Sequence, residues 1–389
     1  MIDAALIFLA PFFAAWIGHA YLCVLVLNNL YARAIPKAFL KRYRLFTGLV
    51  ILAYPIALVL VFHGRYLELF DSHHPLYQNP FGIAFLAYLV LAALMGLVFL
   101  AVTFFRLLRR DPVSVESSTT RTLDLWPVHG AALLGDGYWR WMPRLPGNCV
   151  FQVDFTEVTL AVRNLPREWD GLTVLLLSDL HFHGTPSRLF FEEIVKRIEP
   201  AVVVVLAGDF VDTLKHHEWI APVLGPLRWK ECGLAVLGNH DTPCEPERVR
   251  DELAGLGYRV LGNRWDTVTI RGVPCIAVGH EGPWFAPPPE VSAAPAGPFR
   301  LCVSHTPDNV YWGNANGIDL MLSGHVHGGQ VRLPVIGSIF VPSLHSRRFD
   351  MGVFDVRGTT LVVSRGLSGK EPLRFRCHPQ VMRLTLKPA

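Results

Sequence analysis

In the last two thirds of this 389-residue chain, five short aliphatic runs each end abruptly in acids, imidazoles or a carboxamide. Leu172–Leu177 leads into Asp179 and His181. Ala201–Leu206 leads into Gly208, Asp209 and Asp212. Leu234–Leu237 leads into Gly238, Asn239, His240 and Asp241. Leu301–Val303 leads into His305, and Leu320–Leu322 into Gly324, His325, His327, Gly328, Gly329 and Gln330. Asp, His and Asn are oxygen and nitrogen donors suited to Mn, Fe, Zn or similar divalent ions. The interleaved glycines permit tight turns and close backbone approach to a ligand. Alone, an Asp-x-His is ordinary surface, a buried His is a satisfied core residue, and Gly-Asn-His-Asp is a turn. Five such clusters in succession point to convergence on one centre.

The runs have the length and β-branched content of buried strands. Helical spacing appears between some of them, over Phe190–Ile198 and over Glu245–Leu256 ahead of Gly257. Strands alternating with helices predict an α/β sheet whose ligand site lies beyond the carboxyl ends of its strands. Strand alternation would place Asp179 and His181 on one side, and His325 and His327 likewise.

At this point the series Asp179-x-His181, Gly208-Asp209-x-x-Asp212, Gly238-Asn239-His240-Asp241, His305 and Gly324-His325-x-His327 resembles the calcineurin-like metallophosphoesterases, with no ligand of that pattern missing. The resemblance covers about Phe151 to Leu386. It extends to Asn164-Leu165-Pro166, Gly171, His327-Gly328-Gly329-Gln330, Ser364-Arg365-Gly366-Leu367 and Leu373-Arg374-Phe375. These extras are similar to a bacterial membrane-associated branch that includes stand-alone phosphodiesterases and a UDP-2,3-diacylglucosamine pyrophosphatase. Two stretches depart from that branch: Gly279-His280-Glu281-Gly282 and Cys377-His378-Pro379-Gln380.

The resemblance implies a four-layer α/β/β/α sandwich and two divalent metal ions. One ion would take Asp179, His181 and His327, and the other Asn239, His305 and His325, with Asp209 bridging. A metal-bridging hydroxide would attack a phosphodiester or pyrophosphate bond. His240 would protonate or electrostatically stabilise the leaving oxygen, and Asp212 would orient His240. Within the basic tail, Arg365 and Arg374 are candidate substrate contacts.

The first third reads differently. Charged residues are 17 % of the whole chain, below the roughly 25 % of soluble domains. None occurs in Ala4–Ala32, Leu45–Gly64 or Ser72–Phe105. Each gap holds an apolar core near the roughly 20 residues that span hydrocarbon. Expected transmembrane helices run over about Leu6–Leu27, Phe46–Phe62 and Phe81–Leu107. Arg33, Lys37, Lys41, Arg42 and Arg44 follow the first span, only Arg65 the second, and Arg106, Arg109 and Arg110 end the third. The positive-inside rule then puts the N-terminus outside the inner membrane and everything beyond Arg110 in the cytoplasm. Seven dispersed cysteines without CxxC spacing agree with a reducing compartment. The net charge of +4 is too small and scattered to argue for nucleic acid.

The expected organisation is a membrane domain over residues 1–110, a juxtamembrane linker over 111–150, and a metallophosphoesterase domain over 151–389. The linker's Trp126, Trp139, Trp141, Arg140 and Arg144 suit a membrane interface, and a connecting loop packed on the catalytic domain fits the stretch equally well. Tethering favours a lipid-linked phosphorylated substrate such as UDP-2,3-diacylglucosamine. The segment Pro283-Trp284-Phe285 and the basic tail (Arg347, Arg348, Arg365, Lys370, Arg374, Arg376) could serve it. The alternatives are a broad phosphoesterase on soluble nucleotides and a non-catalytic metal-binding scaffold. The spans carry no acid or base within their cores apart from His19, which argues against a transporter.

Overall fold

The computed structural model describes residues 2–62 and 78–389. The chain divides into two compact units, Met1–Arg110 and Asp111–Ala389. Arg65, weighed above in assigning orientation, lies outside the described residues.

The first unit contains α1 (Ile2–Tyr31), α2 (Lys37–Phe62) and α3 (Pro80–Leu107). All three are long and apolar enough to cross a membrane. Lys37, Lys41, Arg42 and Arg44, expected in a loop, occupy the first turns of α2. Leu45, Leu49, Leu52, Ile56 and Leu60 recur at helical spacing and are exposed, an apolar face suited to lipid. Helices α1 and α3 meet backbone to backbone. A Cβ on Gly18 would fall 1.7 Å from the Ala92 carbonyl oxygen, and one on Gly96 would fall 2.1 Å from that of Ala14. Such small residues let membrane helices approach closely. His19 lies buried at this junction, with Nδ1 2.6 Å from the Tyr88 hydroxyl and its ring stacked on Tyr54. It ties α1 to α3 and α2.

The second unit begins with β1 (Val115–Asp124) and the short helix α4 (Trp126–His129), then β2 (Gln152–Val162), β3 (Leu172–Leu177), α5 (Arg188–Val195), β4 (Ala201–Ala207), α6 (Ile220–Leu224), β5 (Trp229–Val236), α7 (Pro246–Gly255) and β6 (Tyr258–Val260). There follow β7 (Trp265–Ile270), β8 (Val273–His280), β9 (Phe299–Ser304), α8 (Val310–Ala315) and β10 (Leu320–Ser323). The chain ends with β11 (Arg332–Leu333), β12 (Gly337–Ser338), β13 (Gly352–Val356), β14 (Thr359–Val363) and β15 (Gln380–Pro388). One sheet has the order β1-β2-β15-β3-β4-β5-β6 and another β13-β14-β10-β9-β8-β7.

Alternation along the central strands explains the layering. Val174, Leu176, Val203, Val205, Leu234 and Val236 pack toward Leu301, Val303, Leu320 and Leu322 between the sheets. The intervening Leu175, Leu177, Val204 and Leu206 pack under Phe190, Ile194, Ile220, Val223 and Val249 of α5, α6 and α7. On the far side Cys302, Met321 and Val363 pack with Val310 of α8. Helices therefore cover both outer faces of two stacked mixed sheets. Burying each such side chain stabilises by roughly 1.5–3 kcal/mol.

Residues 111–150 do not form a free linker. Strand β1 pairs antiparallel with β2, Thr120 opposite Thr156, and forms the edge of the larger sheet. Leu125, Leu133 and Leu134 are buried in the helix-side core. The stretch is polar because β1 is an edge strand exposed on both faces along nearly its whole length, not because it is unstructured.

Candidate metal centre

Strands β3, β4 and β5 run parallel in one sheet, and β9 and β10 run parallel in the other. The five polar clusters all follow the carboxyl ends of these strands. Strand alternation is not what aims them. Strands β3 and β10 stop at Leu177 and Ser323, and the ligand pairs beyond them sit in turns. Asp179, His181, Asp209, His325 and His327 all have positive φ, between 47° and 68°. Each such non-glycine residue carries strain on the order of 1–3 kcal/mol, which the surroundings must offset. Backbone bonds do so: Asp179 N–H donates to Gly208 O (2.9 Å) and His181 N–H to Asp209 O (3.0 Å). Gly238 leaves room for nothing larger, since a Cβ there would fall 2.1 Å from Asp209 Oδ1.

All seven expected ligands come together. Ligand atoms of Asp179, His181, Asp209 and His327 lie within 4.8 Å of one another, as do those of Asp209, His305 and His325. Asn239 Oδ1 is 3.1 Å from His305 Nε2. Asp209 belongs to both groups: its Oδ2 lies 3.5 Å from His181 Nε2 and 3.4 Å from His305 Nε2. That oxygen and both ring nitrogens of His325 are buried without a hydrogen-bond partner. Buried polar atoms are almost always satisfied, so these orphans fit divalent cations. The outward nitrogens of two other rings are anchored. His305 Nδ1 donates to Ala207 O (2.8 Å) and His327 Nδ1 to Ser368 O (3.1 Å). A carbonyl only accepts, so Nδ1 carries a proton in each and Nε2 faces the centre, where a bound cation would take the place of any second proton.

Charge in the cluster is mutually supported. Burial opposes ionisation of His181, but the Asp212 carboxylate, with Asp209 and Asp179, pushes its pKa up to about 9. His305 also rises to about 9, with Asp209 outweighing burial. Burial, then the neighbouring cationic rings, holds His325 and His327 well below the usual imidazole range. Burial acts against the Asp212 carboxylate, yet His240 and His181 keep it well below the usual carboxylate range. Asp212 stands between these two rings. Oδ1 bonds His240 Nδ1, and Oδ2 lies 3.1 Å from His181 Nδ1.

Two supporting carboxylates, Asp241 and Glu281, have no role assigned by the sequence motifs that contain them. Asp241, fully buried, accepts from Asp209 N (3.0 Å) and Gly238 N (2.8 Å) through Oδ2, and from Phe210 N (2.8 Å) and Val211 N (3.1 Å) through Oδ1. It thereby shapes the loop that carries Asp209. Its place in Gly-Asn-His-Asp was the signal. Glu281, in one of the departing stretches, is buried. It accepts from Leu237 N (2.6 Å) and pairs twice with Arg250 (2.9 and 2.6 Å), bracing the approach to Asn239 and His240.

The proposed substrate contacts need correction. Arg374 is 1 % exposed, and its Nη2 donates inward to the Gly366 and Ser368 carbonyls. Arg365 is turned to Asp154, Nη2 to Oδ2 2.9 Å. Arg347 is buried too. Phe285 packs on the core beneath Arg250, whereas half-buried Trp284 lies against the His325 ring, centroids 4.6 Å apart.

The family model for the Calcineurin-like phosphoesterase matches residues 172–329, which contain every ligand and the His240–Asp212 pair. The Phosphodiesterase YaeI of Escherichia coli is 32 % identical over 55 % of this chain and 81 % of its own length. The Uncharacterized metallophosphoesterase YkuE of Bacillus subtilis is 28 % identical over 60 % of this chain and 86 % of its own. A Transmembrane protein with metallophosphoesterase domain from Danio rerio is 24 % identical over 60 % of this chain and 57 % of its own.

Proposed function

Since the chain belongs to the calcineurin-like metallophosphoesterases and is therefore a phosphoester hydrolase, we propose that it cleaves phosphodiester or pyrophosphate bonds at a centre of two divalent ions. Asp179, His181 and His327 would hold one ion, Asn239, His305 and His325 the other, and Asp209 both. The observation that carries this is the orphaned Oδ2 of Asp209, set between His181 and His305. Ions bound there would supply Lewis-acid polarisation of the phosphoryl group and a nucleophile near neutral pH. The protein's own part is orientation and proton movement. Its anchored rings hold their Nε2 atoms inward. His240, with Nδ1 on Asp212, presents Nε2 toward the leaving oxygen and delivers a proton there.

The three apolar helices and the membrane-protein relatives support membrane association. We place the second unit in the cytoplasm from the lysine and arginine distribution, a reading tested by a reporter fused after Ala389. A substrate carried by the membrane, such as UDP-2,3-diacylglucosamine, suits a tethered hydrolase because anchoring raises effective concentration. The test is a turnover screen of the full-length protein with Mn, setting UDP-2,3-diacylglucosamine and phospholipids against cyclic nucleotides and bis-p-nitrophenyl phosphate. Turnover of soluble diesters alone refutes the lipid-linked substrate. No turnover of any diester or pyrophosphate refutes the hydrolytic reading.

A further inference from the structure

Between Gly137 and Gly147 the second unit carries an aromatic and basic lobe without a single acidic residue. The rings of Tyr138 and Trp139 stand 5.1 Å apart, and those of Trp139 and Trp141 6.4 Å. Tyr138 is 86 % exposed, Trp141 51 % and Leu145 38 %. Arg140 and Arg144 are exposed between them. A contiguous exposed aromatic patch on an otherwise well-packed unit marks an interaction surface.

The lobe is fixed in place. Gly137 N–H donates to Gly184 O (3.1 Å), and a Cβ on Gly137 would fall 2.4 Å from Thr185 Oγ1. Asn148 Nδ2 donates to Met142 O (2.9 Å) and Pro372 O (2.8 Å). One attachment point follows His181 in sequence, and the other, Pro372, follows the segment that carries Ser368. Residues 182–185 continue from His181, and His183 Nε2 bonds Gly369 O (3.1 Å), next to Ser368 and its His327 contact.

We propose that the lobe Tyr138–Leu145 docks into an anionic lipid surface and so fixes the rim of the metal centre at the membrane interface. Indole and phenol rings partition to the headgroup layer, where one end of the ring is apolar and the other wet. Arginines on a cytoplasmic-type leaflet each gain attraction to anionic lipid. A bilayer is at hand because the same chain carries three helices able to cross one. A protein partner would also cover aromatics, but the absence of acids and the paired arginines match a negatively charged sheet of headgroups. The inference rests on the membrane reading of this chain and not on the identity of the substrate.

The test uses the full chain in nanodiscs of phosphatidylcholine alone or of equal parts phosphatidylcholine and phosphatidylglycerol. Bimane is attached at Tyr138→Cys and, in a second variant, at Glu247→Cys, and quenching by headgroup-depth spin-labelled lipid is recorded. Glu247 is exposed on α7, beside β6 at the opposite edge of the sheet from β1. Six of the seven native cysteines are buried, and the unsubstituted chain labelled in parallel corrects for Cys23. The expected result is quenching at position 138 several-fold above that at 247, greater with phosphatidylglycerol, and reduced toward the control by Arg140→Glu with Arg144→Glu. Equal quenching at the two positions overturns the proposal, and is the outcome expected if another protein is the natural occupant. Quenching indifferent to both lipid charge and the double reversal overturns the electrostatic half. Turnover of bis-p-nitrophenyl phosphate by the same samples reads hydrolysis separately, so a failure of docking and a failure of the hydrolase reading are told apart.

Discussion

His327 and Arg374 meet on one oxygen, the carbonyl of Ser368. The ring donates through Nδ1 at 3.1 Å, and the guanidinium donates to the same atom through Nη2. The segment bearing that carbonyl is itself held to the first ligand loop, with Leu367 N–H on Ser178 O (3.0 Å) and Ser368 N–H on Asp179 O (2.8 Å). Arg374 thus supports the two proposed ligands His327 and Asp179 from behind.

Arg374→Met should therefore weaken the ion assigned to Asp179, His181 and His327 by about 10–100-fold, the usual scale for losing an outer-shell partner. Arg374→Lys keeps the charge but replaces the planar guanidinium, whose Nη2 alone reaches both carbonyls, with a compact ammonium, and should fall between. Metal content after dialysis against graded chelator measures this, with thermal unfolding of the ion-free chain as the check on folding. Full retention of both ions in Arg374→Met would remove the guanidinium from this role.

The clustering of the proposed ligands was legible because each member follows an aliphatic run of strand length, and parallel strands bring such ends together. The geometry that aims them was not. Nothing local distinguishes Asp179 or His327 as a left-handed residue, because the strain is offset by partners remote in sequence such as Gly208 and Ser368. Arg374 was misread for the same reason. Its sequence neighbours say only that it is basic and near the C-terminus, whereas its burial depends on how residues 366–368 fold over Asp179. A Cβ on Gly366 would fall 2.6 Å from the Asp179 Cβ, which shows how closely those strands of chain pack. The strand within 111–150 was not legible because an edge strand exposed on both faces carries neither an apolar run nor an alternation.

Asp209→Asn tests the shared ligand. The carboxamide oxygen can still accept from His240 N–H, which now bonds Asp209 Oδ1 at 2.7 Å, so the loop should keep its shape. The second oxygen, which lies between His181 and His305, becomes an NH2 or loses its charge. Both ions should lose affinity together and activity should nearly vanish. Elemental analysis that finds two ions per chain with ordinary turnover contradicts the assignment.

His378 offers a pH test away from the metal ligands. Its Nδ1 lies 2.9 Å from Asp154 Oδ1, and this bond, with a contribution from Cys149, pushes its pKa up to about 9 from 6.5. A raised folded-state value contributes stability that is complete below pH 6.5 and lost as pH rises through about 9. Asp154, on which burial is outweighed by His378, Thr122 and Arg365, is held down at about 2 and stays ionised across that window. The Tm advantage of the parent chain over His378→Gln should shrink steadily from pH 6.5 to 9. The effect is modest because the His378 side chain is 29 % exposed. A difference in Tm that is flat across this range means the pair does not titrate as described.

The division of labour between His240 and the ligands is the central step to test. His240 and Asn239 are adjacent on a turning backbone, so their side chains diverge. Asn239 Oδ1 turns to His305, whereas the His240 ring stands edge-on to His181 with its Nδ1 on Asp212. On the proposed assignment its Nε2 faces substrate and it holds neither ion. His240→Ala should keep both ions but slow turnover by about 100-fold or more, the scale of general acid–base catalysis. The defect should shrink for p-nitrophenolate, which leaves without protonation. Asp212→Asn is expected to differ in kind. Because Asp212 Oδ2 also orients His181, 3.1 Å away, this variant should lose part of its metal affinity as well as rate. The measurement is kcat for a good and a poor leaving group alongside metal content in all three proteins. Should His240→Ala lose metal in step with activity, or slow both substrates equally, His240 acts as a ligand or a structural residue and proton delivery must come from elsewhere.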